Sequence, residues 1–157
     1  MAYEKSAGAI IYRIRRDDHG RRVPFYLLLR YPGEYWEFAR GHMEKGEREY
    51  MTAQREIREE TGLTGLRFLK GFREEYRFHF KRKGRTVTKD AVLYLAEAQR
   101  WRVETSEEHF GYVWVTHREA LKHLHFENSQ IVMRKARAFL DVRLRASEVS
   151  DSAPEKK

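Results

Sequence analysis

The order of apolar and polar positions divides the chain into strand-like and helix-like runs. Apolar runs bounded by turn-forming residues are typical of strands, whereas apolar residues spaced by three or four are typical of helices. The pattern predicts strands at 6–14, 23–29, 35–38, 66–80, 86–96 and 112–115, and helices at 48–61, 117–124 and 129–144. Strands interrupted by one helix and closed by C-terminal helices predict an α/β layered domain with a mixed sheet.

Turn-forming residues mark several boundaries in this pattern. Residues 15–22 carry two aspartates and a glycine, which predicts a hairpin between the first two strands. Gly62 follows the predicted helix 48–61 directly and supplies a C-terminal stop. Residues 41–47 contain two glycines and are expected to form a loop in front of that helix.

The length and the spread of apolar residues indicate one domain. The chain has 157 residues, a length that fits a single core, and we see no internal repeat. We assign residues 1–145 to this domain. Residues 146–157 lack apolar bulk and are expected to form a disordered tail.

Composition narrows the classes of function. The absence of cysteine excludes disulfides, thiolate metal sites and cysteine nucleophiles. No run approaches the roughly 18 apolar residues that span a bilayer, and no signal peptide is visible, so we expect a cytoplasmic protein without a membrane partner. The formal net charge of +8 favours anionic partners such as nucleotides or nucleic acid. A basic surface that serves only solubility is the alternative.

The predicted helix 48–61 holds three glutamates on one face. Glu56, Glu59 and Glu60 lie at positions i, i+3 and i+4, where like charges repel one another. They also lie near the helix C-terminus, where the macrodipole disfavours anions. A hard cation bridging the three carboxylates would remove the penalty, and Mg²⁺ prefers such oxygen ligands. A solvated acidic face is the alternative reading of these three residues alone.

The surroundings of the glutamates match a known motif. The segment 41–63 resembles the Nudix box at every defined position, and chance agreement at a given start is on the order of 10⁻⁸. The matching residues are Gly41, Glu47, Arg55, Glu56, Ile57, Glu59, Glu60, Gly62 and Leu63. The strand order is also similar to the Nudix fold, an α/β/α sandwich with a central mixed sheet. In this family Glu47 and Arg55 would be structural, holding the loop against the helix.

The resemblance implies a metal-dependent hydrolase of nucleoside polyphosphates. Glu56, Glu59 and Glu60 would bind Mg²⁺, with Mn²⁺ as an alternative, and the Gly41 carbonyl would be a further ligand. The metal would neutralise phosphate charge and lower the pKa of bound water, so that hydroxide attacks phosphorus. The three glutamates would therefore be catalytic residues as well as metal ligands.

Family members often recruit a further acid from outside the box. Glu107 and Glu108 stand in the predicted loop before the strand 112–115. Glu108 is our preferred candidate for a fourth catalytic carboxylate. An exposed acidic loop with no role in catalysis is the alternative.

Three features resemble the asymmetric diadenosine tetraphosphate hydrolases within this family. Arg40 and His42 flank Gly41 where that subgroup typically has lysine and histidine, and Lys89 is similar to its phosphate-contacting lysine. Tyr76 heads three alternating aromatic residues of the strand 66–80, any one of which is able to stack on a purine. Core packing is expected for at least two of the three. Arg40, His42, Lys89 and Tyr76 are thus the predicted substrate-binding residues.

The leading hypothesis is asymmetric hydrolysis of diadenosine tetraphosphate to AMP and ATP. A second hypothesis is a pyrophosphohydrolase of nucleoside triphosphates or of the RNA 5′ end, which the positive charge favours. A third is a non-catalytic nucleotide sensor on a Nudix scaffold. Such sensors commonly lose box glutamates, and this chain retains all three.

Overall fold

The elements follow the predicted order. The computed structural model describes residues 2–107, 109 and 111–152. The strands are β1 (Ala2–Arg16), β2 (Arg22–Tyr31), β3 (Tyr35–Glu37), β4 (Ala39–His42), β5 (Arg67–Phe68), β6 (Glu74–Arg82), β7 (Arg85–Glu97) and β8 (Tyr112–Val115). The helices are α1 (Glu49–Thr61), α2 (His117–His123) and α3 (Glu127–Ser152).

In the described part of the chain, the strands form one mixed sheet. β1 and β7 lie side by side at its centre and pair in parallel, while the other pairings are antiparallel. The order is β3-β2-β1-β7-β5, with β4 also paired to β1, β6 to β7 and β8 to β2. The predicted hairpin between β1 and β2 is confirmed, as is the mixed sheet.

Helices cover both faces of this sheet. Ile57 of α1 is fully buried in one apolar cluster, which includes Ala9 and Leu29. On the opposite face, α2 and α3 bury apolar residues at helical spacing against Ile10 and Leu93. The result is the three-layer α/β/α sandwich that was expected from the sequence. Within the described ranges, no helix is both long and apolar enough to cross a membrane.

The predicted strand 66–80 is wrong as a single element. It divides into β5 and β6, which both pair with β7. Gly71 has φ of 97°, in a region that is incompatible with an extended strand and that glycine adopts readily. The chain turns there, so Phe68 belongs to β5, whereas Tyr76, Phe78 and Phe80 belong to β6.

The predicted loop 41–47 also begins later than expected. Gly41 and His42 belong to β4, where they pair with Ala7 and Ser6 of β1. Gly8 lies beside them, and a Cβ at this position would collide with the backbone of Ala39. This close approach of β1 and β4 places the loop after β4 over the start of α1.

The expectation that residues 146–157 form a disordered tail needs correction in part. Residues 146–152 continue α3, whereas 153–157 lie outside the described residues. The segment contains neither glycine nor proline before position 152, so nothing in it stops the helix. Arg22 of β2 also holds this end of α3, donating to the Leu144 carbonyl at 3.0 Å and to Ser147 Oγ at 3.1 Å.

Candidate active site

A glutamate–arginine pair holds the loop after β4 against α1. Arg55 donates from Nε to Glu47 Oε2 at 2.8 Å and from Nη2 to Glu47 Oε1 at 2.9 Å. Its Nη2 also donates to the His42 carbonyl at 2.8 Å. The paired guanidinium holds the pKa of Glu47 low, at about 2. The two side chains pair across the loop and join it to α1.

Gly41 lies directly against the carboxylate of Glu56. A Cβ at position 41 would collide with the carboxylate carbon and both carboxylate oxygens. A side chain at position 41 would therefore displace the Glu56 carboxylate from its place beside β4. Glu56 Oε1 also accepts a hydrogen bond from Arg55 Nη1 at 2.8 Å. The motif brings a carboxylate and a strand backbone together, and both offer oxygen ligands.

Glu60 lies deeper than the other two predicted metal ligands. It is 6% exposed, and its Oε2 accepts hydrogen bonds from the Arg40 amide at 3.2 Å and from Tyr31 Oη at 3.3 Å. Burial, with the nearby charge of Glu56, raises the pKa of Glu60 to about 8. A buried carboxylate next to a second carboxylate is an environment that a cation stabilises.

Glu59 is the most exposed of the three glutamates. Its side chain is 54% exposed, and Oε2 accepts from Arg55 Nη1 at 3.2 Å. Among the described residues, no three histidine or acidic side chains converge closely enough to hold a metal ion. The donors nevertheless fit a hard divalent cation, because Gly41 leaves room for the Glu56 carboxylate and Glu60 lies desolvated beside it.

A histidine that sequence reasoning missed lies beside this site. His109 is 6% exposed, and its Nε2 lies 4.0 Å from Glu60 Oε1. Its ring contacts Tyr31 edge to face at 4.4 Å, and its Nδ1 lies 2.9 Å from Ser106 Oγ. The loop that carries the predicted acids therefore reaches α1.

The two predicted acids of this loop have different outcomes. Glu107 is exposed. Glu108, the preferred candidate, lies outside the described residues. In the sequence, the available clue was a histidine that directly follows an acidic pair. The apolar periodicity could not show that this histidine is buried.

Basic groups gather at the mouth of the site. Lys89 Nζ lies 3.5 Å from His42 Nε2 and 3.8 Å from Glu4 Oε2. Arg82 Nη1 donates to Glu4 Oε1 at 2.6 Å. Burial and then the charge of Arg40 lower the pKa of Lys89. His42 of β4 and Lys89 of β7, both predicted to bind substrate, thus lie close together, on two strands that each pair with β1.

A cavity of about 450 Å³ opens next to these basic groups. Arg40 and Tyr76 line it, and Arg40 Nη1 donates to Tyr76 Oη at 2.6 Å. Aromatic rings provide much of the remaining wall, contributed by Tyr35, Phe78, Phe80 and Phe126. Since the Arg40 amide also binds Glu60, the cavity adjoins the carboxylates of α1.

The expectation that two of the three β6 aromatic residues pack in the core is wrong. Tyr76 packs against the buried cluster, whereas Phe78 and Phe80 line the cavity. The three lie opposite Ala91, Lys89 and Val87 of β7. Only the first of these register positions reaches the core cluster, so the rings further along β6 remain available for a ligand.

Comparison with known proteins shows the family of this chain. A model of the NUDIX domain matches residues 4–135. The chain therefore belongs to the Nudix family of hydrolases, and the pyrophosphohydrolase class expected from the sequence is confirmed. Nudix hydrolases generally use divalent metal ions.

Similar proteins within the family share one described activity. An asymmetrical bis(5′-nucleosyl)-tetraphosphatase from Mus musculus is 33% identical over 144 residues, which cover 87% of this chain and 95% of the relative. The Caenorhabditis elegans protein of that name is 29% identical over 146 residues, covering 87% and 96%. The resemblance to this subgroup is confirmed.

Solved structures show the same likeness. The crystal structure of a C. elegans Ap4A hydrolase binary complex matches with a TM-score of 0.71 and 29% identity, covering 88% of this chain and 98% of that one. A MutT protein from Methanosarcina mazei Go1 matches with a TM-score of 0.59 and 22% identity, covering 87% and 94%. The second likeness concerns the fold alone.

Proposed function

We propose that the protein hydrolyses dinucleoside tetraphosphates asymmetrically to a nucleoside monophosphate and a nucleoside triphosphate. Diadenosine tetraphosphate, giving AMP and ATP, is the reference substrate. The observation that supports this most is the continuity of three surfaces: the carboxylates of α1, the basic groups around Lys89 and the aromatic cavity beyond Arg40. The activity named for the similar tetraphosphatases points the same way.

The proposed metal ligands are the Gly41 carbonyl and the carboxylates of Glu56, Glu59 and Glu60. Oxygen-only donors favour Mg²⁺, with Mn²⁺ as the alternative. Bound metal would supply charge neutralisation at the phosphates and a more acidic water. Arg55 holds Glu56 and Glu59 through one guanidinium nitrogen, which orients both side chains along the same edge of α1.

The chain's own groups bind and orient the substrate. Lys89 and His42 are proposed to contact the phosphate chain at the mouth of the site. Arg40 and Tyr76 are proposed to bind the nucleoside end, where the aromatic walls offer stacking faces. Glu108 is proposed as the further acid, because the neighbouring His109 approaches Glu60.

A hydrolysis panel with product identification in H₂¹⁸O tests this proposal. We expect diadenosine tetraphosphate to yield AMP and ATP, with ¹⁸O in only one product, because water attacks a single phosphorus. Much faster turnover of nucleoside triphosphates or of ADP-ribose would reject the dinucleotide assignment. Symmetric release of two ADP molecules would reject the position of attack.

Glu59→Gln tests the metal assignment. We expect Mg²⁺-dependent turnover to be lost, because the amide removes a charged oxygen ligand. The fold should remain intact, since the Glu59 side chain is exposed. Circular dichroism and a Mg²⁺ titration of activity provide the measurements. Glu127→Gln, at an exposed position of α3, is the matched control, and equal activity of the two variants would overturn the assignment.

A second candidate is pyrophosphohydrolysis of nucleoside triphosphates or of the RNA 5′ end. The formal net charge of +8 supports it, because cationic surfaces attract polyanions. Binding to a long RNA should then weaken steeply as salt rises, through release of counterions. Weak binding that depends little on salt would exclude the RNA substrate.

A further inference from the structure

A buried carboxylate faces the aromatic cavity. Glu37 lines the cavity although its side chain is 4% exposed. Oε2 accepts from Ser129 Oγ at 2.6 Å, and Oε1 accepts from the Phe38 amide at 3.2 Å. Burial raises the pKa of Glu37, while the charge of Arg40 and the two hydrogen bonds oppose this shift. Each carboxylate oxygen has a second acceptor position, so Glu37 is able to accept hydrogen bonds from a ligand.

A guanidinium group lines the same cavity. Arg40 Nη1 donates to Tyr76 Oη, and the guanidinium carbon lies 5.6 Å from the centre of the Phe78 ring. Among the ion pairs of the described residues, none joins Arg40 to Glu37 within 4.0 Å. An acceptor-only group and a donor-only group therefore line one cavity without neutralising each other by direct contact.

The rest of the wall suits a flat heteroaromatic ring. Phe78 and Phe80 stand side by side with their ring centres 6.0 Å apart. Tyr35 and Phe126 form a second pair, edge to face at 5.5 Å. Aromatic side chains bind any nucleobase by stacking and do not distinguish one base from another. Selection among bases must therefore come from the polar groups in the cavity.

Guanine matches these polar groups better than adenine does. Guanine presents two adjacent donors, N1–H and the 2-amino group, and two acceptors, O6 and N7. A carboxylate accepts from the donors, and a guanidinium donates to O6 and N7. In the same orientation adenine would place its N1 acceptor against the carboxylate and its N6 donor against the guanidinium, so that only N7 keeps its partner. We propose that Glu37 and Arg40 make this cavity a guanine-selective base site.

This inference rests on the proposed function, because it assumes that the cavity holds a base of the nucleotide substrate. It concerns the choice of base and leaves the cleavage of the phosphate chain as described above. Diguanosine tetraphosphate would then be a better substrate than the diadenosine compound. Polar groups built into a buried site discriminate strongly against analogues that leave them unpaired.

The first experiment varies the base with the unaltered protein. We expect kcat/KM for diguanosine tetraphosphate to exceed that for diadenosine tetraphosphate by at least about tenfold. Diinosine tetraphosphate should fall between them, because hypoxanthine keeps N1–H and O6 and lacks the 2-amino group. Equal values for the three substrates, or a preference for adenine, would overturn the inference.

The second experiment removes the acceptor. Glu37→Gln keeps the shape of the side chain but replaces one acceptor oxygen with a donor. The guanine-to-adenine ratio of kcat/KM should collapse to within about threefold, mainly through loss with the guanine substrate. Glu127→Gln is the control, since this exposed residue does not line the cavity. An unchanged ratio in folded Glu37→Gln would remove Glu37 from the recognition of the base.

A binding measurement separates failure of the inference from failure of the proposed function. Calorimetric titration with GMP and AMP reports base preference without requiring hydrolysis. Tighter binding of GMP, with no turnover of any dinucleotide, would retain the guanine site and reject the proposed substrate class. Turnover of dinucleotides with equal binding of GMP and AMP would retain the proposed substrate class and reject the guanine site. If Glu37→Gln fails to fold, equal binding of GMP and AMP to the unaltered protein still contradicts the inference.

Discussion

Three glutamates of one helix face have three different environments. Glu56 lies against Gly41, Glu59 is half-exposed beside Arg55, and Glu60 is buried under Tyr31. The buried one has its pKa raised to about 8, chiefly by desolvation. A cation that binds this group would favour its charged form and so release a proton on binding.

Glu60→Gln should change how the stability of the metal-free protein depends on pH. Between about 4.5 and 8, folded Glu60 keeps a proton that the unfolded chain has released. The unaltered protein therefore loses stability as pH rises through this window, and the variant lacks that contribution. Between pH 5 and pH 8, the free energy of unfolding of the variant minus that of the unaltered protein should rise by on the order of 2–4 kcal/mol.

Urea unfolding with a chelator present, at several pH values, measures this difference. Glu59→Gln is the matched control, because its side chain is largely in solvent, and it should show no comparable trend. A Glu60→Gln difference that stays constant across the range would contradict the burial of the carboxyl group. Adding Mg²⁺ should stabilise the unaltered protein most at high pH, where the charged ligand is available.

Specific contacts hold helix α1 in place at both of its ends. At its start, Arg55 and Glu47 fasten the preceding loop. At its end, Gly62 has φ of 72° and its N–H donates to the Arg58 carbonyl at 2.9 Å. Glu60 stands two residues before this cap. The geometry of the cap therefore affects the position of the three glutamates of α1.

Gly62→Ala should destabilise the protein by about 1–2 kcal/mol, because a side chain with a Cβ is strained in the left-handed conformation. The new Cβ would meet Arg100 and Glu104 only at ordinary contact distance, 3.4 Å, so strain is the main cost. Gly62→Asn should cost less, since asparagine tolerates this conformation better. Urea unfolding of both variants tests the order, and an equal loss would indicate crowding rather than strain.

The aromatic cavity lined by Glu37 and Arg40 exists only at the level of the whole molecule. β3, β4, β6, β7 and the start of α3 each contribute to its wall. Ser129 of α3 reaches Glu37 of β3 across 92 positions of sequence. Such long-range contacts depend on α3 being packed on the sheet, which its buried residues up to Leu140 achieve.

A chain ending at Arg145 should therefore fold and keep its activity. It loses the hydrogen bond from Arg22 to Ser147 Oγ but keeps the bond to the Leu144 carbonyl. The expected loss of stability is at most about 1 kcal/mol. This also tests our assignment of residues 1–145 to the domain. Leu140→Ala, which opens a cavity in the core, should cost about 2–5 kcal/mol. Thermal unfolding compares the two, and a larger loss from the truncation would refute the boundary.

The amino-acid sequence by itself determined the class of the protein and most of its elements. Periodicity located α1 to within one residue and placed β8 at its observed limits, because both elements have clear local boundaries. The spacing of the box residues predicted three carboxylates on one helix face, since a helix carries i, i+3 and i+4 on one face whatever surrounds it. Such features depend on local geometry and can be predicted from the amino-acid sequence.

Only the tertiary structure decided how deeply each group lies and what shares its space. The burial of Glu60, the approach of His109 and the cavity shared by Glu37 and Arg40 join residues far apart in the chain. Glu37 reads in sequence as one acid within an aromatic strand. Its environment is set by burial and by the Arg40 guanidinium in the same cavity. Both arise only when the layers pack together, so no local sequence pattern encodes them.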